Sequence, residues 1–309
     1  MSIGRKLLLA AAKSEFLAKQ ATNRSFSKKA VKKFMPGEAP EDALNASAEL
    51  SREGRGTIFT KLGENLTRLD EAQGVADHYM WMFDQIRERG LPGHVSIKPT
   101  QLGLDLSRDA CESHLRKLAA KAESTGSLLW IDMEDSSYVD RTLQLYEELK
   151  KVYPSTGIAI QAYLKRTPND IARLMPVKPI IRLVKGAYAE PPHIAFAAKR
   201  DTDFAYFDLS VRMLEGAAKG ECLPIFGTHD IPMVERLVAR AKELGVADGK
   251  YEIHMLYGIR DADQRRLRAE GRVVKTLISY GSSWYKWYMR RLAERPANVW
   301  FVVRSMLPG

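Results

Sequence analysis

The chain has 309 residues, 45% hydrophobic and 28% charged, with a formal net charge of +10. That length suits one large domain with a sizeable core or two small ones, and the charged fraction argues against wholesale disorder. No apolar run approaches the length of a membrane span, and the two cysteines, Cys111 and Cys222, lack metal-like spacing and read as free thiols of a reducing cytosol.

Much of the positive charge sits early, where Arg5, Lys6, Lys13, Lys19, Arg24, Lys28, Lys29, Lys32 and Lys33 face only Glu15 before Glu38. The opening MSIGRKLLLAAAKSEFLAK reads as a mature amphipathic helix, because polar residues return at once and no small-residue cleavage site follows. A basic arm of this kind suits an anionic membrane surface or a solvated face. Nucleic acid is set aside, since no zinc-finger spacing, RNA-binding aromatic motif or helix-turn-helix pattern accompanies the charge. Residues 1–50 are expected to form this helical arm, broken at Pro36-Gly37 and resuming after Pro40, with 51–309 as the catalytic domain.

Beyond the arm, short β-rich runs alternate with amphipathic stretches. The strand candidates are GTIFTKLG (56–63), HVSIKP (94–99), SLLWIDME (127–134), GIAIQAY (157–163), PIIRLVKG (179–186), LPIFGTHD (223–230), YEIHMLYG (251–258) and RVVKTLISYG (272–281). Most are nearly continuous apolar runs, as parallel strands covered on both faces require. Helical patterns such as DEAQGVADHYMWMFDQIRERG and SRDACESHLRKLAAKAES separate them. Eight βα units in about 250 residues match a closed (βα)8 barrel. An open doubly wound sheet usually carries a G-x-G-x-x-G turn after a strand, and none is present.

The active site of such a barrel lies at the C-terminal strand ends. There the sequence places Lys61 and Glu64, Lys98, Asp132 and Glu134, Gln161, then Arg182, Lys185 and Tyr188, and finally Thr228, His229 and Asp230. Burying Lys98, Asp132 and Arg182 is costly unless they pair or bind something, so a binding site is expected, with a structural ion-pair network as the alternative. After the eighth strand, WYKWYMRRLAERPAN reads as a helix stopped by Pro296. Its Arg290 and Arg291 suit a carboxylate or phosphate, since each guanidinium can donate a fork of hydrogen bonds. The six histidines never pair at i, i+4 and no HExxH occurs, so no metal is expected; His78, His94 and His114 are expected to be solvated or loosely packed. No Gly-x-Ser-x-Gly elbow supports a serine hydrolase.

Seven runs in order, SIKPTQLG (96–103), WIDMED (130–135), IQAYLKR (160–166), RLVKGAY (182–188), FGTHD (226–230), MLYGIR (255–260) and WYKWYMRRLAERPAN (284–298), resemble bacterial proline dehydrogenases of the stand-alone form. The resemblance implies a distorted (βα)8 TIM barrel, an α/β fold with an N-terminal helical arm and a final helix over the barrel mouth. It implies non-covalent FAD, oxidation of L-proline to Δ1-pyrroline-5-carboxylate by hydride transfer to flavin N5, and a quinone electron acceptor. A cytoplasmic protein with peripheral contact at the inner membrane surface is expected.

By matching position, Lys98, Arg290 and Arg291 would hold the substrate carboxylate, while Tyr188, Leu256, Leu277 and Trp287 would wall the substrate. Asp132 and Arg182 would be catalytic, the former organising the cations and the latter lying near flavin N5. Met133, Gln161, Arg182, the Lys185-Gly186-Ala187 backbone, Thr228 and His229 would hold FAD. Glu64 would pair with Arg290 as a gate.

Two positions depart from the family. Its eighth strand usually reads VYVPYG, whereas TLISYG here puts Leu277 at a tyrosine and Ser279 at the proline. The following helix commonly reads WYPYFMRR, and Trp287 replaces its tyrosine three residues before the first arginine. Loss of two pocket hydroxyls leaves open a different cyclic amino acid, such as hydroxyproline, pipecolate or an N-substituted proline. A non-catalytic binding barrel is the alternative from another class.

Overall fold

The computed structural model describes residues 33–63, 66–285 and 287–289. Each sequence run expected to be a strand overlaps one: β1 (Gly56–Lys61), β2 (Gly93–Ile97), β3 (Leu129–Ile131), β4 (Thr156–Gln161), β5 (Ile180–Val184), β6 (Leu223–Gly227), β7 (Glu252–Leu256) and β8 (Val274–Tyr280). They pair in chain order, all parallel, and β8 closes on β1 through six register pairs from Gly56↔Lys275 to Lys61↔Tyr280. The fold is a (βα)8 barrel. The expected strands are trimmed mainly at their polar C-terminal ends, and most severely at β3. There the chain leaves the ladder after the Asp132 amide donates to the Ile97 carbonyl at 2.8 Å, which frees Asp132 to Asp135 for the loop.

Helix α1 (Pro40–Arg52) precedes the barrel, and α2 (Leu69–Glu88), α3 (Arg108–Ser124), α4 (Val139–Lys150), α5 (Thr167–Leu174), α6 (Lys199–Ala218), α7 (Ile231–Glu243) and α8 (Asp261–Ala269) follow successive strands. Helix α7 illustrates why these segments coil. The Asp230 carboxylate caps it by accepting the Met233 amide at 3.4 Å, Pro232 occupies the first turn, and Ile231, Val234, Leu237 and Ala241 form its buried stripe. Helix α1 packs on β1 and β8 and contributes Ala43, Leu44, Ala46 and Leu50 to the main core. The arm boundary expected at residue 50 falls inside this helix.

Strand side chains alternate between two cores. Phe59, Ile97, Ile131, Leu183, Phe226 and Ile278 face the helices and join the main core. Inside the barrel Ile58, Trp130 and Ile225 form a separate cluster with Leu128, Ile180, Leu223 and Leu277. At the C-terminal end of β1, Leu62 joins Phe34, Met35, Trp284, Trp287, Tyr288 and Met289 in an aromatic cap. The Trp284 indole N–H donates to Glu38 at 3.1 Å, so the start and end of the described chain meet at the barrel mouth. Cys111 and Cys222 are both free thiols, as expected.

Candidate active site

Strands β2, β3 and β5 bring Ser96, Asp132 and Arg182 together inside the barrel. Arg182 is 4% exposed and pairs through Nη2 with Asp132 Oδ1. The same Nη2 donates to Ser96 Oγ at 3.1 Å, and Ser96 Oγ donates to Asp132 Oδ1 at 3.0 Å. Serine thus completes a three-membered circuit between the two charges. The Arg182 guanidinium also lies 4.8 Å from the centroid of the Trp130 ring. Burial pulls the Arg182 pKa down, and the facing Asp132 carboxylate opposes that pull. Nη1 of Arg182 is buried and has no hydrogen-bond partner among the described residues.

Gln161, at the end of β4, is similarly half-satisfied. Its Nε2 donates to the Glu134 carbonyl at 3.2 Å, while its Oε1 is buried without a hydrogen-bond partner among the described residues. Two orphaned polar atoms on adjacent strands, one donor and one acceptor, are what a site shaped for a polar ring system leaves open. Met133 is buried beside this edge of the barrel. Past β5, Gly186 has φ +114°, and a Cβ there would lie 2.2 Å from the Tyr163 ring. Backbone therefore passes close to an aromatic face where a side chain would not fit. Ala187 and Tyr188 follow, both partly exposed.

The turn after β6 is tightly built. Lys185 Nζ bridges Asp203 of α6 at 2.5 Å and Asp230 at 2.8 Å, and both carboxylates are held below their ordinary range. For both, burial opposes the pairing with lysine and is outweighed. The Lys185 side chain is thus engaged in tying β5 to α6 and α7, leaving only its backbone to serve a ligand. Thr228 Oγ1 accepts the Asp230 amide at 3.2 Å. His229 Nε2 accepts the Leu256 amide at 2.9 Å, which places its ring proton on Nδ1. Glu134 closes the β2 and β3 loops by accepting from the Thr100 amide and hydroxyl at 3.2 and 2.7 Å.

Other expected residues are also placed. Lys98 continues the inward parity of His94 and Ser96 just past β2, partly exposed. Leu256 and Leu277 are register partners on β7 and β8, and Leu277 packs on the interior apolar cluster. Trp287 is buried in the aromatic cap. Glu64, Arg290 and Arg291 lie outside the described residues. Lys61 pairs in register with Tyr280, on the outward parity, and its charge helps depress the pKa of His78 on α2.

The histidine expectation needs correction. His114 is buried, with Nδ1 at 3.1 Å from the Leu102 carbonyl and Nε2 at 3.2 Å from Gln73. His78 Nε2 bonds the Tyr280 hydroxyl at 2.7 Å, and burial drives its pKa down to about 4. His94 lies inside the barrel and accepts the Trp130 indole N–H at 3.2 Å. Each sits opposite a polar partner distant in sequence, which local pattern does not reveal. Local pattern likewise does not mark Ser96, Trp130, His254, Glu252 and Lys275 as neighbours of the site. Strand parity does carry a signal, since each lies an even number of residues from an inward-facing position.

A surface cleft of about 560 Å³ lined by Lys242, Asp248, Tyr251 and Arg272 lies at the opposite, N-terminal end of the barrel. In this fold that face serves stability, and chemistry belongs to the other end.

The family model described as proline dehydrogenase matches residues 43–304. The chain belongs to the proline dehydrogenase family. It is 35% identical over 301 residues to proline dehydrogenase 1 of Bacillus subtilis (strain 168), covering 94% of this chain and 97% of that one. It is 35% identical to proline dehydrogenase 2 of the same strain, covering 98% and 99%, and 33% identical to the proline dehydrogenase of Deinococcus radiodurans, covering 90% of each. Among solved structures, the fold resembles proline utilization A from Bdellovibrio bacteriovorus, inactivated by N-propargylglycine, with a TM-score of 0.79, 21% identity and 93% of this chain covered. The chain spans 38% of that longer protein. The family and its barrel identify a proline dehydrogenase-like oxidoreductase, which sets aside the non-catalytic reading.

Proposed function

We propose that this chain oxidises L-proline to Δ1-pyrroline-5-carboxylate beside FAD bound at the C-terminal strand ends, with a quinone as electron acceptor. The observation that carries this reading is the buried Arg182–Asp132–Ser96 circuit with Arg182 Nη1 left open, in a chain of the proline dehydrogenase family. The chemistry FAD supplies when bound is acceptance of a hydride from the carbon next to the ring nitrogen, with the electrons leaving to the quinone.

The chain's own residues fit that group. The open Gln161 Oε1 and Arg182 Nη1 offer an acceptor and a cationic donor. Gly186, with Ala187 and the Lys185 backbone, offers an unobstructed strand end, while Met133, Thr228 and His229 complete the edge. Arg182 would stabilise negative charge developing nearby, and its low-dielectric surroundings strengthen that effect. Asp132 and Ser96 hold the guanidinium in place. Lys98, with Arg290 and Arg291, would grip the substrate carboxylate and so orient the ring; the motif series supports this assignment. The Glu64–Arg290 gate belongs to the same reading. Peripheral contact with the quinone's membrane would draw on the basic residues between Arg5 and Lys33.

A second reading is the same chemistry on a more apolar or larger cyclic amino acid. It is favoured by Leu277, which packs with the interior apolar cluster beside Leu256, so this part of the wall offers no hydroxyl to a ring substituent. Tyr188, Leu256 and Trp287 would complete that wall. The purified protein should be yellow. Anaerobic bleaching of its flavin by L-proline, trans-4-hydroxy-L-proline, pipecolate and N-methylproline tests both readings. Bleaching by proline alone supports the first and refutes the second. A protein unable to take up FAD refutes both.

A further inference from the structure

Beneath Arg182 the barrel interior carries a set of polar and aromatic side chains beside the branched aliphatics usual for this fold, here Ile58, Ile180, Ile225 and Leu277. The Trp130 ring lies under the guanidinium at 4.8 Å. Its Nε1–H donates to His94 Nδ1 at 3.2 Å, and His254 meets the indole edge-on with centroids 5.4 Å apart and planes at 81°. His254 Nε2 donates to Glu252 Oε2 at 2.8 Å, and Glu252 Oε1 accepts from Lys275 Nζ at 2.8 Å. Strands β2, β3, β5, β7 and β8 thus supply one polar column running from the site toward the barrel floor. None of its lower members reaches the strand ends where substrate and cofactor would sit.

The column has a fixed hydrogen-bond polarity. An indole N–H only donates, so His94 must present a lone pair at Nδ1 and remain neutral. Burial supports that state, and the positive charges of Lys275 and Arg182 add to it, holding the His94 pKa well below its ordinary value. Glu252 is kept ionised by His254 and Lys275 despite its burial, so His254 is the donor in their contact. With both histidines neutral and Lys275 paired with Glu252, the floor puts no net positive charge beneath the guanidinium, and the indole presents its electron-rich face upward. An indole free to rotate about χ2 would lose that contact.

We infer that His94 and Trp130 are positioning residues for Arg182, with the His94–indole hydrogen bond setting the ring plane on which the guanidinium rests. This rests on the reading of Arg182 as a group that faces the reacting atoms. It adds a determinant of activity at the opposite end of the barrel interior from the substrate.

The test uses the flavin-loaded full chain and compares His94→Leu, which removes the acceptor, with His94→Asn, whose Oδ1 restores one near the position of Nδ1. Saturating kcat, KM for the amino acid and the flavin midpoint potential are measured for each. His94→Leu should lower kcat about tenfold, a change within reach of one desolvated cation–π contact. It should also shift the midpoint potential and leave KM within about twofold, the scatter of a typical kinetic comparison. His94→Asn should recover most of the kcat and return the potential toward wild type. Leu and Asn variants that are equally impaired would assign His94 to packing alone and overturn the inference. So would a His94→Leu variant with unchanged kcat and potential. If His94→Leu does not fold, Trp130→Phe, which keeps an aromatic face but loses the N–H, must show the same kcat loss and potential shift; unchanged values overturn the inference. A wild-type protein that takes up no flavin, or is bleached by no cyclic amino acid, would instead refute the proposed function.

Discussion

Burying a guanidinium costs several kcal/mol unless its donors are matched, and Arg182 is matched through Nη2 while Nη1 has no partner among the described residues. A fully paired structural arginine would have closed that account inside the barrel. Asp132 and Ser96 carry unequal shares of the pairing, because only Asp132 supplies charge. Asp132→Asn should therefore lower turnover about a hundredfold, the scale of losing a charged partner in a preorganised site. Ser96→Ala should cost about tenfold or less, since the direct Arg182–Asp132 contact survives it. Steady-state kinetics on the two variants would check the order; a larger loss for Ser96→Ala would show that the direct pair is not the main restraint.

At the scale of elements, the βα turns at the mouth are built from ion pairs and close backbone approaches. Gly186 combines a left-handed φ with contact to the Tyr163 ring. Gly186→Ala should cost about 2 kcal/mol or more in stability and reduce FAD uptake, because the strain and the steric clash add at the same residue. Urea denaturation and flavin content per chain would measure both. At the other end of β1, the side chain of Arg55 is 1% exposed and donates to Asp261 at 2.8 Å and Gln264 at 3.3 Å, besides pairing with Glu53. It fastens the α1–β1 junction to α8. Arg55→Met should destabilise by about 2–3 kcal/mol, since Gln264 and the carboxylates lose a shared donor while most of the packing is kept. An unchanged denaturation midpoint would show that the junction is held by packing alone.

For the whole molecule, buried neutral histidines set an acid limit on stability. Burial pushes His254 down to about 4, against the opposing pull of Glu252, and does the same to His78. Between pH 6.5 and 4 the unfolded chain binds protons at these two sites that the folded chain does not. Their stabilisation is fully present above pH 6.5 and is lost as the pH falls toward 4. The partial exposure of His78 weakens its share, so about 2 kcal/mol from these two rings should disappear between pH 6.5 and 5, and buried His94 adds to the loss in the same direction. Carboxylates with lowered pKa values contribute only below that window. Urea midpoints at pH 7 and pH 5 would measure the loss, and equal midpoints would show that the two rings are not held neutral.

What the sequence determined by itself was the architecture. Eight apolar runs separated by amphipathic stretches leave a closed parallel barrel as the simplest way to cover both faces of every strand, and the structure closes β8 on β1. The motif series around Asp132, Gln161 and Arg182 also marked the family, because each motif sits at a strand end whose position the barrel's repeat dictates. Short-range signals were enough for both. The pairing of these residues was not legible. Ser96 reads as a small polar residue in a strand, and nothing local indicates that its hydroxyl joins charges 36 and 86 residues away. The column of Trp130, His94, His254, Glu252 and Lys275 looks, in sequence, like scattered polar interruptions of four strands. Only closure of the barrel brings them together, because contacts across its interior depend on strand tilt and stagger as well as on inward parity.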